Sequence, residues 1–130
     1  MDNIKYIYAM CEDSKIEATE QFWQTPLSEL TKIYNGAGPD WFPGFIRKGL
    51  TKYLDLFQPA FLEHDFSFHY SDKTQKGFKE ANKRLYRNCK SLISSNYSWL
   101  INPLTKFKLY IQSYLIYFAC QKYGWSAWID

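Results

Sequence analysis

The chain has 130 residues, with 16 basic and 13 acidic side chains, and 20% of its residues are aromatic. This length predicts one domain spanning residues 1–130, because compact domains most often contain about 100–150 residues. A hydrophobic fraction of 46% excludes a disordered or low-complexity chain. The net charge of +3 is too small to indicate a nucleic-acid partner by itself.

Charge is unevenly distributed along the chain. Residues 1–30 contain six acidic residues and two lysines, whereas residues 73–90 contain seven basic residues and one acidic residue. The second segment is a candidate anion-facing surface, although a solvated helix face gives the same pattern. It carries no recognisable nucleic-acid-binding motif, so we do not expect nucleic acid as a partner.

The cysteine pattern argues against a disulfide framework. Cys11, Cys89 and Cys120 are odd in number, far apart and without metal-binding spacing, so we expect buried or free thiols. The first residues lack the basic and apolar regions of a signal peptide. The longest apolar stretch, residues 109–120, is too short to cross a bilayer. We therefore expect a chain that is soluble or lies on a membrane surface.

The N-terminal third contains an ambiguous segment, a helical segment and a loop. Residues 3–11 fit either a short strand or an irregular start. Residues 14–34 have a helical pattern, and Thr25 before Pro26 predicts an N-cap and first turn that restart the helix. Residues 35–44, NGAGPDWFPG, contain three glycines and two prolines, which indicates a loop.

Two helices are predicted in the middle of the chain. Apolar residues at helical spacing predict the first over residues 45–57. Pro59 is placed to open the second, which runs through His64 and Asp65 toward Tyr70.

The remaining residues predict two long helices. After turn and capping groups at Ser71, Asp72 and Thr74, the first has a single stripe made of Phe78, Ala81, Asn82, Leu85, Cys89 and Leu92. A break at residues 96–103 precedes the second helix, which ends at Gly124. Its stripe is expected in the core and consists of Phe107, Ile111, Tyr114 and Phe118. The predicted fold class is therefore mainly α, with two antiparallel helices at its centre.

Trp125 and Trp128 lie close to the C-terminus and are expected at a membrane interface. Aromatic rings with one polar edge favour such an interface.

Three groups of residues indicate chemistry. In the segment 34–38, YNGAG, alternating glycines let main-chain carbonyls hold a hard cation such as Ca²⁺, or let amides bind an oxyanion. A plain turn has the same composition.

The second group is the pair His64 and Asp65. These side chains point about 100° apart on a helix, so Asp65 can complete the cation site while His64 acts as a base. A surface dipeptide is the alternative for this pair.

Asn82 is the third group. It lies on an apolar stripe, where a buried amide requires hydrogen-bond partners. An antiparallel helical hairpin would place it opposite His64, where a base-orienting residue is needed. The alternative is an amide at the edge of the stripe that contacts only water.

Taken together, these residues resemble the phospholipase A2 superfamily. The family's calcium loop reads Y-x-G-x-G, its central helix carries x-x-H-D, and its next helix carries an A-D pair. The corresponding segments here are residues 34–38, 62–65 and 81–82. The resemblance covers roughly residues 34–92 and is closest to the small, disulfide-free versions encoded by viruses and phages.

The resemblance implies a calcium-dependent hydrolase of the sn-2 ester of membrane glycerophospholipids. His64 would be the general base for water, and Asn82 would orient it. Ca²⁺ and the Gly36 amide would stabilise the oxyanion. The calcium ligands would be the carbonyls of Tyr34, Gly36 and Gly38 with the carboxylate of Asp65. The expected partner is a phospholipid membrane surface, bound peripherally, and the expected location is cytoplasmic or virion-associated.

Several positions depart from the family pattern. Asn82 and Phe68 stand where the family has an aspartate and a tyrosine that support the histidine, and Ala60 and Phe61 replace paired cysteines. Loss of the carboxylate disfavours the imidazolium that forms during the reaction. The alternative function is thus a catalytically weak or inactive module that binds a protein partner or an anionic membrane surface. The helical insertion at 45–57 is a candidate lid or lipid contact.

Overall fold

The computed structural model describes residues 2–34 and 44–130, and within these ranges it describes all side chains except those of residues 2 and 45–54. Every regular element in the described ranges is an α-helix, which confirms the mainly α class. The helices are α1 (Asp2–Ser14), α2 (Glu20–Gln24), α3 (Leu27–Ile33), α4 (Gly44–His69), α5 (Gln75–Asn96), α6 (Pro103–Tyr123) and α7 (Trp125–Ile129). None of the helices searched is long and apolar enough to cross a membrane.

The N-terminal segment is helical, so the prediction of a strand or irregular start at 3–11 is wrong. Ile4, Ile7 and Cys11 are buried, and their spacing places them on one face of α1. The isoleucines and tyrosines of this segment are typical of strands, but the burial of one helical face determines the structure. The helix is followed by Lys15, whose φ of 53° is in the left-handed region.

A break separates α2 from α3 at Thr25–Pro26, as predicted, but the two residues have different roles from those expected. Thr25 is the C-cap of α2, and its hydroxyl donates back to the Gln21 carbonyl at 2.7 Å. Pro26 is the N-cap of α3 and makes no side-chain capping hydrogen bond. The capping pair is therefore displaced by one residue.

Helix α4 continues through Pro59, so the prediction of a new helix starting there is wrong. A proline inside a helix lacks the N–H that would bond the carbonyl four residues earlier, at a cost of about 3 kcal/mol. Phe57 and Phe61 flank Pro59 and are fully buried. Each buried phenylalanine contributes roughly 1.5–3 kcal/mol, which is enough to offset the lost hydrogen bond.

The turn between α4 and α5 is built from the predicted capping residues. Asp72 Oδ1 accepts from the Thr74 N–H at 2.9 Å, and Thr74 Oγ1 accepts from the Gly77 N–H at 3.0 Å. This short turn makes α4 and α5 antiparallel neighbours. The predicted stripe of α5 is buried over its whole length, and α5 lies between α4 and α6.

Helix α6 buries a different face from the one predicted. Phe107, Ile111, Tyr114 and Phe118 are 44–55% exposed, so their assignment to the core is wrong. Apart from Lys106, the buried residues are mostly smaller ones: Leu109, Ser113, Ile116, Ala119 and Cys120. Small side chains allow α5 and α6 to approach closely, whereas the larger stripe would hold the two helices apart.

Trp128 belongs to a second, smaller core, so its prediction as an interface residue is wrong. Trp128 is 4% exposed and packs against Phe68 and Phe78, and its Nε1–H donates to the Thr74 carbonyl at 2.9 Å. Trp125 is half-buried against Phe78, with ring centroids 5.2 Å apart. Gly124 ends α6 as predicted, with its N–H donating to the Cys120 carbonyl.

Cys11, Cys89 and Cys120 are free and buried, as the sequence predicted. Burial raises the pKa of the Cys11 thiol to about 12, with a smaller contribution from the nearby Glu63 carboxylate. Burial also raises the pKa of Cys89 and Cys120. The three thiols therefore remain protonated at neutral pH and act as small apolar groups.

Candidate functional site

His64 lies in the middle of α4 and faces α5. Its side chain is almost completely buried, and Asn82 on α5 is fully buried opposite it. The distance between His64 Nε2 and Asn82 Oδ1 is 2.9 Å. The antiparallel hairpin thus brings these two residues together, as expected from the sequence.

A second contact agrees with this orientation of the Asn82 amide. Asn82 Nδ2 donates to Gln121 Oε1 on α6 at 2.7 Å, which leaves Oδ1 to face the imidazole. An amide oxygen only accepts hydrogen bonds, so His64 Nε2 carries the proton and Nδ1 carries the lone pair. The chain of His64, Asn82 and Gln121 links α4, α5 and α6 and selects one tautomer.

Sequence reasoning missed Gln121. A buried amide needs partners for both of its ends, so a third polar residue was to be expected. Because α6 is apolar on two sides, its sequence does not indicate which of its residues faces Asn82.

His64 is neutral at neutral pH. Complete burial lowers its pKa from 6.5 to about 4; the hydrogen bond to Asn82 opposes this shift, and the positive charge of Arg84 adds to it. A neutral imidazole retains the lone pair that a general base requires. A low pKa also makes it a weak base, because the protonated form is poorly stabilised.

Phe68 lies one turn after His64 on α4 and covers the imidazole. The two ring centroids are 4.4 Å apart with the planes tilted by 45°. On its other side Phe68 meets Trp128 edge to face at 5.1 Å. Phe68 stands where the phospholipase A2 family has a tyrosine. Its ring is an apolar wall that contributes to the desolvation of His64.

Tyr34 and Asp65 are brought to the same region. Tyr34 ends α3, where its N–H donates to the Leu30 carbonyl at 3.0 Å and its backbone is extended. Burial raises the pKa of the Tyr34 phenol, and the negative charge of Asp65 raises it further. Among the described residues, Tyr34 Oη is buried without a hydrogen-bond partner. The end of α3 thus lies close to the carboxylate on α4.

The other proposed calcium ligands, Gly36 and Gly38, lie outside the described residues, as does the Gly36 amide. In the described ranges no group of three or more His, Cys, Asp or Glu side chains could hold a metal. Any cation bound near Asp65 would therefore depend on main-chain carbonyls for most of its ligands. Asp65 supplies a carboxylate of the kind that calcium prefers, and the group of Tyr34 that lies near it is the buried phenol.

A second buried polar cluster, missed by sequence reasoning, lies beside His64. Glu63 is fully buried, and its Oε2 accepts from Ser67 Oγ at 2.6 Å and from Arg84 Nη1 at 3.1 Å. Burial raises the pKa of Glu63, while Arg84 and Ser67 lower it. One sequence pattern could have indicated this cluster: Glu63 lies four residues before Ser67 on the same helix, and Arg84 lies on the next helix.

A cleft of about 460 Å³ opens on the Arg84 side of the α4–α5 pair. Ser67, Glu80 and Arg84 contribute polar groups to its wall, and Phe66 and Trp128 contribute apolar surface. Neither His64 nor Asp65 lines it. The cleft is therefore separate from the His64–Asn82 pair and belongs to the Glu63 cluster.

The basic segment 73–90 is not a uniform anion-facing surface. Arg84 pairs with Glu63, and Arg87 pairs with Glu17 and Glu80. Part of its positive charge therefore compensates acidic residues of this chain, and four exposed lysines and the half-buried Lys90 provide the remainder.

No protein-family model, curated protein or solved structure matches this chain.

Proposed function

We propose that the chain is a calcium-dependent hydrolase of the sn-2 ester of membrane glycerophospholipids. The observation that supports this most is the buried His64 with Asn82 Oδ1 at 2.9 Å from Nε2. This contact leaves Nδ1 as the basic atom of the imidazole. The resemblance of residues 34–38, 62–65 and 81–82 to phospholipase A2 motifs provides the reaction class.

In this proposal His64 Nδ1 takes a proton from the attacking water. Asn82 accepts the Nε2–H and keeps the ring in place, and Gln121 in turn keeps the amide from rotating. Asp65, with the carbonyls of Tyr34, Gly36 and Gly38, would hold calcium. When bound, calcium would supply Lewis-acid stabilisation of the ester oxyanion.

The second candidate is a catalytically weak or inactive module that binds a protein partner or an anionic membrane surface. The observation that favours it is the pKa of His64, which lies at about 4. Asn82 contributes no negative charge to stabilise the imidazolium, and Arg84 on the same helix destabilises it. The transfer of a proton from water to His64 would therefore be slow.

The test is release of sn-2 fatty acid from mixed phosphatidylcholine–phosphatidylglycerol vesicles, with calcium or with chelator. A general base contributes a factor of about 10²–10⁴, so we expect His64→Ala to lower release at least a hundredfold. His69→Ala is the matched control, because this second histidine is exposed on the same helix. Equal release by wild type and His64→Ala would exclude the hydrolase and leave the binding module.

A further inference from the structure

Helix α6 presents a continuous apolar face to solvent. Its residues are 44–65% exposed and follow each other at intervals of three and four: Leu104, Phe107, Ile111, Tyr114 and Phe118. This spacing places them on one side of the helix, and we call this side the α6 outer face. A soluble monomer exposes single apolar residues commonly, but a row along a whole helix indicates a contact surface.

The turn before α6 extends the apolar surface. Trp99, Leu100 and Ile101 are 53%, 91% and 77% exposed. Trp99 is held in place, because its ring stacks on Tyr110 with centroids 5.8 Å apart. The turn therefore adds three large side chains to the N-terminal end of the α6 outer face.

The charged residues of α6 itself have one sign. The helix contains Lys106, Lys108 and Lys122 and no acidic residue, and Lys106 is buried. Two of the bases are exposed on α6 itself: Lys108 next to Phe107, and Lys122, whose Nζ lies 5.7 Å from the centroid of the Phe118 ring. Positive side chains therefore accompany the apolar face at both of its ends.

The combination of an apolar face with lysines distinguishes between two possible occupants of the face, a second copy of the chain and an anionic lipid surface. Two copies of the face packed together would bring lysines of both copies to an interface where α6 offers no acid to pair with them. An anionic lipid surface complements both features at once, since headgroups attract lysines while aromatic and aliphatic side chains enter the acyl boundary.

We propose that the α6 outer face and residues 99–101 dock the protein on an anionic phospholipid surface, with α6 lying along the membrane plane. This inference deepens the proposed function by naming the surface that meets the lipid, and it rests on the membrane contact that the hydrolase and the membrane-binding module share, not on hydrolysis. The same helix carries Gln121, the partner of Asn82, one turn after Phe118. The helix that contacts lipid would thus also support the candidate site.

The experiment is flotation of the full chain with vesicles of ether-linked phospholipids, which have no carboxylic ester at sn-2 for the proposed hydrolase to cleave. We expect binding to vesicles that are half phosphatidylglycerol, weaker binding to phosphatidylcholine alone, and weakening by salt. Phe107→Glu and Tyr114→Glu should each lower the partition coefficient about tenfold or more. Lys108→Glu should lower it about tenfold on the anionic vesicles only.

Tyr6→Glu is the matched control, because Tyr6 is 67% exposed on α1, in the acidic N-terminal segment. This variant should bind the vesicles as wild type does. Circular dichroism checks that each variant is folded. Two results would overturn the proposal: equal binding by wild type and Tyr114→Glu, or no wild-type binding to anionic vesicles. Concentration-dependent dimers that Tyr114→Glu abolishes, without any change in vesicle binding, would instead assign the face to a second copy.

Discussion

Glu63 and His64 are neighbours on α4 and both are removed from water, but the structure compensates their polar groups differently. Glu63 has a cationic partner, because Arg84 and Ser67 contact its Oε2. His64 has an amide partner, because Asn82 accepts its Nε2–H, and burial keeps it neutral. Glu63 thus belongs to a buried ion pair, whereas His64 is a buried neutral base.

The largest expected effect concerns the Glu63 side. Replacing Arg84 with Met leaves a buried carboxylate without its cation, so we expect the free energy of unfolding to fall by about 3–5 kcal/mol. Denaturant unfolding measures this. Arg87→Met is the matched control, since its ion pairs are 40–54% exposed and should contribute about 0–1 kcal/mol.

A double variant tests the cause. Adding Glu63→Gln to Arg84→Met removes the unpaired charge and should restore part of the lost stability. If Arg84→Met costs less than 1 kcal/mol, Glu63 is not held as a buried ion pair.

The next largest effect is the pH dependence of the free energy of unfolding that arises from His64. The pKa of His64 is about 4 when folded and 6.5 ordinarily, so the unfolded chain binds the proton first. The stability that depends on neutral His64 is present above pH 6.5 and is lost as the pH falls toward about 4, by up to about 1.4 kcal/mol per pH unit.

Glu63 contributes with the opposite sign. Its pKa is raised from 4.5, so protonation stabilises the folded chain at low pH, and this contribution is lost as the pH rises through the raised pKa. Unfolding of His64→Gln from pH 7 to 4 separates the two groups. We expect a smaller loss of stability with acid than in wild type, and an unchanged pH dependence would contradict a buried neutral His64.

The smallest effect concerns Gln121. Gln121→Ala leaves the Asn82 amide without an acceptor, so we expect a loss of about 1–3 kcal/mol in unfolding free energy. Gln112→Ala on the same helix, where no hydrogen bond of this kind is involved, is the comparison variant. Equal losses of unfolding free energy in the two variants would argue against the hydrogen bonds that link His64, Asn82 and Gln121.

The pairing of α4 with α5 was predictable because their connection is short and their apolar residues follow one helical period. Once the antiparallel hairpin is assumed, Asn82 falls opposite His64. Pro59 misled the prediction because local propensity favours a helix start, whereas the burial of Phe57 and Phe61 carries the helix through it.

Helix α6 could not be oriented from sequence. It is apolar on two sides, so the large stripe and the small-residue stripe both predict a core face. The packing distance to α5 selects the small residues, and that distance depends on the whole fold. For the same reason Gln121 was missed, and Trp128 was assigned to an interface rather than to the second core.

The state of the His64 ring tests the central claim most directly, and ¹⁵N NMR of histidine-labelled protein between pH 7 and 5 measures it. We predict a proton on Nε2, a lone pair on Nδ1, and no protonation of His64 above pH 5, because burial holds its pKa at about 4. A proton on Nδ1, or a His64 that titrates at its ordinary pKa of 6.5, would contradict the buried, amide-oriented base.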